Sequence, residues 1–196
     1  MKQSKILWKR VVILIGTLLG ILLLIGGTLY TFGRPAFYAL RARMWKTDPQ
    51  LAAQVAHQIM EYDLPPAYQE LKFLDRGSNT AMVMIASLKQ PADFILIEQA
   101  PDGILSTEYQ TGVEEKWSRN IAEHHYDTQT VSTQAVTVRG QPTTLRILEG
   151  TDETGRPIWQ AVCMFTGKSG DVLVVLVAGQ DTWDQTLVDQ FLQSIR

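Results

Sequence analysis

The sequence is poor in the residues from which metal and nucleophilic sites are built. Its 196 residues include one cysteine and three histidines. A single cysteine excludes an internal disulfide, and neither a paired-cysteine zinc spacing nor an HExxH pattern is present. We therefore predict no cofactor, no catalytic residues and no metal site, and we favour a non-enzymatic protein over an enzyme of unrecognised type.

Acidic residues are absent from the first 46 positions, and residues 11–33 contain no charged residue at all. This run is almost wholly apolar, and at about 1.5 Å per residue a helix of its length crosses the roughly 30 Å hydrocarbon core of a bilayer. A cleaved signal peptide has an apolar core of only about 7–15 residues. The run therefore predicts one retained transmembrane helix, a single-pass signal anchor that binds the lipid bilayer through residues 11–33.

Basic residues flank the predicted membrane helix on both sides. Four precede it in a basic tail, residues 1–10, and four follow it in a juxtamembrane connector, residues 34–47. The first group is short, directly adjacent and includes the terminal amine, so the positive-inside rule favours a cytoplasmic N-terminus. We therefore expect the C-terminal domain to lie outside the cytoplasm at the cell membrane.

Small residues recur along the predicted membrane helix. Gly16 and Gly20 form a GxxxG pattern, and Gly27 follows seven residues later on nearly the same face. Small residues allow two membrane helices to approach closely, so a homodimer through this helix is one interpretation. The alternative is that glycine is simply common in membrane helices.

The remainder of the chain is short of positive charge. Residues 47–196 contain ten basic and twenty acidic residues, a net charge of −10. Nucleic-acid surfaces need clustered positive charge, so this composition argues against a nucleic-acid partner.

Hydrophobic periodicity after the anchor predicts alternating helices and strands. The expected elements are a helix from Thr47-Asp48-Pro49 to near Tyr62, strands at 68–74, 80–88 and 94–99, a helix at 112–125, strands at 130–138, 143–149, 158–166 and 171–180, and a final helix. In that last helix, Thr182 and Gln185 have capping-box spacing. The order indicates one soluble α+β domain over residues 48–196, with a mainly antiparallel sheet of about six to seven strands flanked by helices.

Three local patterns resemble the PsbP-like fold, which photosystem extrinsic subunits share with a nuclear-import factor. They are Leu64-Pro65-Pro66-Ala67-Tyr68 at the first strand, the core strand at 82–88, and Thr182-Trp183-Asp184 leading into residues 191–195. The resemblance implies an α+β domain over about residues 48–196 and a non-enzymatic role in an assembly. The chain also resembles bacterial membrane-anchored domains of unassigned role.

Several polar residues could be taken for metal-binding, catalytic or phosphate-binding residues, but their spacing does not support such roles. His124 and His125 form the densest set of metal ligands, but adjacent helical residues point about 100° apart, and a polar helix end explains them as well. His57 and Cys163 are expected to be structural, with Cys163 on the strand face of Trp159, Ala161 and Phe165. Ser169 lacks the earlier glycine of a phosphate-binding loop. The acidic pairs Glu114-Glu115 and Asp152-Glu153 lack calcium-site spacing.

The leading functional hypothesis is therefore a membrane-anchored, non-enzymatic domain that binds an unidentified protein partner or stabilises a membrane-associated assembly. The alternative is a ligand-binding or sensory module at the cell surface. An apolar groove with few charges would favour that alternative, and an enzyme would need a cleft that gathers histidines with carboxylates.

Overall fold

A capped helix follows a very short strand at the start of the described chain. The computed structural model describes residues 45–75, 80–101 and 126–196. Strand β1 spans Lys46–Thr47 and helix α1 spans Pro49–Ile59. The Asp48 carboxylate accepts the backbone N–H groups of Gln50 and Leu51 at 3.1 Å each. The predicted helix start is confirmed, because an aspartate cap and a proline in the first turn both satisfy N-terminal backbone geometry.

All eight described strands form one antiparallel sheet. The other seven are β2 (Tyr68–Asp75), β3 (Ala81–Ser87), β4 (Phe94–Ala100), β5 (Asp127–Val138), β6 (Gln141–Thr151), β7 (Pro157–Thr166) and β8 (Asp171–Gly179). Their order across the sheet is β1-β2-β3-β4-β8-β7-β6-β5. Together with helix α2, Gln185–Ser194, these strands confirm an α+β domain with an antiparallel sheet.

Tight hairpins connect the last four strands. Arg139 and Gly140, with φ angles of 53° and 72°, turn β5 into β6, as expected for a two-residue turn with positive φ at both positions. The predicted loop at 167–170 joins β7 to β8, where the Gly167 N–H donates to the Gly170 carbonyl at 2.7 Å.

Both described helices pack on one face of the sheet, which we call the helical face. In α1, Ala52, Val55, Ala56 and Ile59 are buried, and α2 contributes Val188, Phe191 and Leu192. They join alternate strand residues in one hydrophobic cluster: Val83, Ile85, Ile95, Ile97, Leu145, Ile147, Ala161, Cys163, Phe165, Val172, Val174 and Leu176. The apolar stripe of each helix therefore packs against strand side chains, which lie on this face at every second position.

The opposite face carries a second hydrophobic cluster, to which neither described helix contributes. Its strand members include Leu96, Ile158, Val162, Val175 and Val177. Strands β3, β4 and β8 are therefore apolar on both sides. That pattern is typical of a sheet buried on both faces.

Gln160 is a polar side chain among the apolar residues of this second face. Gln160 of β7 is completely buried and pairs across the sheet with Leu148 and Val177. Neither its side-chain nitrogen nor its oxygen has a hydrogen-bond partner in the described part of the chain. A buried amide without partners destabilises the fold, because its lost hydration is not replaced.

Replacing this amide by an apolar side chain of similar size is expected to stabilise the protein. We predict that Gln160→Leu raises the free energy of unfolding by about 1–2 kcal/mol, measured by urea denaturation of the full-length protein in detergent. Gln129→Leu, on the exposed part of β5, is the control and should change stability little. A clear loss of stability in Gln160→Leu would contradict the prediction.

Two sequence-based expectations need correction. The sheet includes β1, which no sequence signal indicated, because a two-residue strand is too short to show periodicity. The capping box at Thr182 is wrong: Asp184 caps α2 by accepting the N–H groups of Thr186 and Leu187, while the Thr182 hydroxyl donates to Asp93 at 2.7 Å. The Thr182 hydroxyl therefore forms a long-range hydrogen bond and does not cap the helix.

Other expectations concern residues outside the described ranges. These are the membrane helix at 11–33 with Gly16, Gly20 and Gly27, and the helix at 112–125. Within the described ranges, no helix has both the length and the apolar character needed to cross a bilayer.

Candidate interaction surface

The candidate metal ligands do not form a site within the described ranges. His124, His125 and the pair Glu114-Glu115 lie outside them. Among residues 45–75, 80–101 and 126–196, no group of three His, Cys, Asp or Glu side chains is placed to hold a metal ion. The interpretation of His124 and His125 therefore still rests on the sequence.

His57 has a structural role at the end of α1. Its Nδ1 atom lies 3.2 Å from Glu61, and its ring stacks on Tyr62 with a centroid separation of 5.5 Å. Lys168, from the β7–β8 loop, donates to Glu61 at 2.9 Å and to the His57 carbonyl at 3.2 Å. The hydrogen bond and charge of Lys168 lower the pKa of Glu61, so this contact persists above that pKa and weakens as the pH falls through it. These contacts connect the β7–β8 loop to the C-terminal end of α1.

Both carboxylate oxygens of Asp152 accept hydrogen bonds from residues of its own turn. One oxygen accepts the backbone N–H groups of Thr154 and Arg156 at 2.9 and 3.0 Å, and the other accepts from the Arg156 guanidinium at 3.2 Å. Burial raises the pKa of Asp152, but the hydrogen bond from the Thr154 hydroxyl at 2.6 Å, together with these contacts, outweighs burial and leaves its pKa below the ordinary value. Its role is therefore to shape the β6–β7 turn.

Sequence reasoning missed the buried carboxylate to which this turn connects. Asp93, immediately before β4, is 3% exposed. It accepts the Gly179 N–H at 3.1 Å and the Arg156 guanidinium at 3.3 Å, in addition to the Thr182 hydroxyl. These hydrogen bonds connect the start of β4 to the end of β8 and to the residues that precede α2. Because these contacts all join elements of the fold, we assign Asp93 to structure rather than to chemistry.

Cys163 is a buried core residue, as its pattern predicted. It is completely inaccessible and shares the helical face with Ala161 and Phe165. Burial raises the pKa of its thiol to about 12, against a smaller lowering by the Thr143 hydroxyl. A thiol with such a pKa is protonated at neutral pH and is a poor nucleophile.

The folded protein is therefore expected to resist thiol reagents. We predict that Cys163 in the native full-length protein reacts with a maleimide at pH 8 at least about a hundredfold more slowly than in urea, because reaction requires an opening of the core. The rate is followed by intact mass. Rapid labelling of the native protein would show that the strand face of Cys163 is accessible.

The longer of the two outer strands in the described sheet is β5. Among the described strands it pairs only with β6. Most of its side chains are exposed, including Val131 at 45%. An outer strand presents a row of backbone donors and acceptors that another strand can use.

Strand β5 lacks most of the features that normally protect a sheet edge. Natural edges are blunted by short strands, charged side chains, proline or bulges. This strand is 12 residues long, and residues 129–138 include no charged residue and no proline. A register irregularity between Thr130 and Ser132 is its one protective feature among these. We call residues 129–138 the β5 edge.

A polar groove lies where β5 begins. Its volume is about 530 Å³, and its lining includes Asp127, Gln129, Glu149, Thr151 and Gln180. The Gln129 amide donates to Glu149 at 3.3 Å across β5 and β6. The groove is open and acidic, and it adjoins the β5 edge at Gln129.

A smaller concavity lies beside α1. It has a volume of about 240 Å³ and includes Val55, Gln58, Ile59, Gln99 and Ser169 in its lining. Polar side chains contribute to both concavities. The apolar groove that would favour a small-molecule site is therefore not seen in these two.

Comparison with known proteins identifies similarity at the level of the fold. No protein-family model and no curated protein matches the chain. Among solved structures, it is similar to the solution structure of cyanobacterial PsbP (CyanoP) from Synechocystis sp. PCC 6803. The TM-score is 0.39 at 13% identity, with 70% of this chain and 92% of that chain covered. The structural comparison thus finds again the resemblance to PsbP that the sequence patterns indicated.

Proposed function

We propose that this protein is a single-pass membrane-anchored, non-enzymatic domain that binds a protein partner or stabilises a membrane-associated assembly through the β5 edge. The observation that carries the proposal is a long, exposed outer strand whose residues 129–138 carry no charge. An extended segment can join such an edge by strand addition, in which main-chain hydrogen bonds supply affinity and side chains supply selectivity.

The membrane part of the proposal rests on the sequence. Residues 11–33 provide an uncharged apolar run of sufficient length to span a bilayer, and the basic flank at 1–10 favours a domain on the extracytoplasmic side. Anchoring would restrict the partners of the domain to that compartment.

The alternative, a ligand-binding or sensory module, has weaker support. Small-molecule sites are mostly apolar and enclosed, whereas the groove beside β5 has polar and acidic side chains and opens to solvent. The same groove suits the polar margin of a protein interface, where charged and water-accessible groups surround the contact.

Blocking the edge with charge is expected to remove the partner. Two differently tagged copies of the full-length protein are co-expressed in its own cells, extracted in mild detergent, and analysed by quantitative mass spectrometry, so that a second copy also counts as a partner. We expect Thr133→Lys/Ala135→Lys to reduce recovery of the main partner by about tenfold, because lysine at an edge opposes strand addition.

The matched control is Gln54→Lys/Gln90→Lys, which adds the same charge at two exposed positions on α1 and the β3–β4 loop. Recovery with this control should equal that of the wild type, and both variants should keep the wild-type melting temperature. Equal recovery from both variants, or no partner with the wild type, would contradict the proposal.

A further inference from the structure

We infer that the second face of the sheet is covered by this chain's own connection between β4 and β5, residues 102–125. The inference is independent of the proposed function, which concerns the edge of the sheet. Strand residues on the second face are buried, with Leu96 and Val175 each 1% exposed, yet neither described helix contributes to their cluster. An apolar sheet face of this kind needs a cover, and the described strands identify the segment that supplies it.

The described residues on either side of this connection pack on the second face. Ala100, the last residue of β4, and Tyr126, which directly precedes β5, are each 5% exposed and belong to the second hydrophobic cluster. The connection therefore starts and ends beside the surface that needs a cover. Its sequence contains the apolar side chains that such a cover requires, at Ile104, Leu105, Val113, Trp117 and Ile121.

The directions of the strands require the connection to cross the sheet. Each neighbouring pair in the order β4-β8-β7-β6-β5 is antiparallel, so β4 and β5 run in the same direction with three strands between them. The chain must return along the length of the sheet, because parallel strands need a crossover connection. Four strand spacings amount to about 19 Å, whereas the 26 residues 101–126 extend to about 85 Å. The connection is therefore long enough to cross one face.

Backbone hydrogen bonds define the side of β4 on which β5 lies. The Ser87 N–H donates to the Asp93 carbonyl at 3.0 Å, and hydrogen-bonded pairs recur at every second position of an antiparallel ladder. Ile95, which pairs with Ile85, therefore directs its N–H and C=O toward β3, while its side chain lies on the helical face. In an L-residue whose side chain faces the viewer on an upward strand, these two groups point to the right. Seen from the helical face with β4 running upward, β3 thus lies to the right of β4 and β5 to the left.

The hairpin between β7 and β8 gives the same orientation independently. The Gly167 N–H donates to the Gly170 carbonyl, so Cys163 and Val174 also form a hydrogen-bonded pair, four positions further along the ladder. Cys163 lies on the helical face, and β7 runs in the same direction as β4. Strand β8 therefore lies to the right of β7 in the same view, in agreement with the order of the sheet.

Handedness then assigns the crossover to the second face. Crossovers between parallel strands of one sheet are right-handed in about 98% of cases. Because β5 lies to the left of β4, a right-handed path passes behind the sheet as seen from the helical face, and therefore over the second face. A path over the helical face would be left-handed and would meet α1 and α2, which already pack there. The second face is thus occupied by the chain itself and is closed to ligands and partners.

Photo-methionine tests this assignment in the full-length protein without a disruptive substitution. Met164 packs against the second cluster and Met60 belongs to the cluster of the helical face, so one labelled sample reports on both faces. After ultraviolet irradiation, peptide mass spectrometry should find Met164 joined to residues 102–125 at least about tenfold more often than Met60, because the photoproduct inserts into atoms that it contacts. Met164→Leu should remove these crosslinks and leave those of Met60 unchanged. Absence of crosslinks from Met164 to this segment, or equal crosslinking from Met60, would overturn the inference.

Thiol labelling tests the cover by removing it. Val162→Cys in a Cys163→Ala chain places a thiol on the second face, and the native Cys163 is the control on the helical face. Replacing residues 104–123 by a glycine–serine sequence of equal length should raise the maleimide labelling rate of Val162→Cys at least about tenfold, whereas Cys163 should stay slow. An unchanged rate at position 162, or a faster rate at Cys163 alone, would overturn the inference. If both thiols react rapidly, the sheet has unfolded without its cover, and the photo-methionine crosslinks decide.

Discussion

Asp93→Ala is expected to lower the free energy of unfolding by about 3–5 kcal/mol, because the buried carboxylate accepts three hydrogen bonds and a hydrogen bond to a charged group contributes about 1.5–3 kcal/mol. The Asp93 side chain is 4% exposed, and Arg156, its ion-pair partner, is 30% exposed. Removal of the carboxylate also leaves the Gly179 N–H without its acceptor, while the Thr182 hydroxyl keeps only the Gly179 carbonyl at 3.2 Å. Arg156 keeps its contact with Asp152 at 3.2 Å, so the loss comes mainly from the hydrogen bonds that no longer connect β4 to β8.

The measurement is urea denaturation of the full-length protein in detergent, followed by tryptophan fluorescence. The control is Asp63→Ala, which breaks the Asp63–Arg196 contact at 2.6 Å between side chains that are 68% and 67% exposed. Exposed ion pairs contribute little, so the midpoint should barely move. Equal effects of the two substitutions would show that the Asp93 arrangement does not hold the sheet together.

Gly150→Ala is expected to destabilise the protein by about 2–3 kcal/mol through overpacking. Gly150 of β6 lies opposite Thr128 of β5. An added Cβ atom would overlap the Asp127 backbone carbonyl and lie 2.7 Å from the Thr128 Cα atom. Because both obstacles are backbone atoms, the start of β5 must move away from β6 to accept the methyl group.

The control for this substitution lies in the same hairpin. Gly140→Asn changes a residue with φ of 72° and no heavy atom within 4 Å of an added Cβ, and asparagine tolerates that conformation comparatively well. It should cost less than about 1 kcal/mol. In hydrogen exchange, Gly150→Ala should raise amide exchange near Thr128 while leaving the β7–β8 pair protected. If amide exchange near Thr128 is the same in both variants, the close approach of β5 and β6 is contradicted.

The local signals of the sequence predicted many of the regular elements. Asp48-Pro49 located the start of α1, and the glycine-bounded loop at 167–170 located the β7–β8 hairpin. These features depend on neighbouring residues, so capping and turn chemistry suffice to find them. The burial of Cys163 followed in the same way from the alternation of apolar residues along β7.

The candidate surface could not be predicted, because it depends on pairing across long distances. The strand character of β5 is visible in its sequence, but its place at the edge follows from the insertion of β8 between β4 and β7. The Asp93 contacts were missed for the same reason, since Arg156 and Thr182 lie 63 and 89 residues away along the chain. A single aspartate before a strand carries no local sign that its carboxylate will be buried.

The most direct test of docking through β5 is site-specific photocrosslinking of the full-length protein in intact cells. A photoreactive amino acid replaces Thr133 on the β5 edge or, as a control, Lys89 on the exposed β3–β4 loop. We predict one dominant adduct from position 133 and none from position 89. Absence of any adduct at 133, or the same adducts from both positions, would contradict the assignment of β5 as the docking surface.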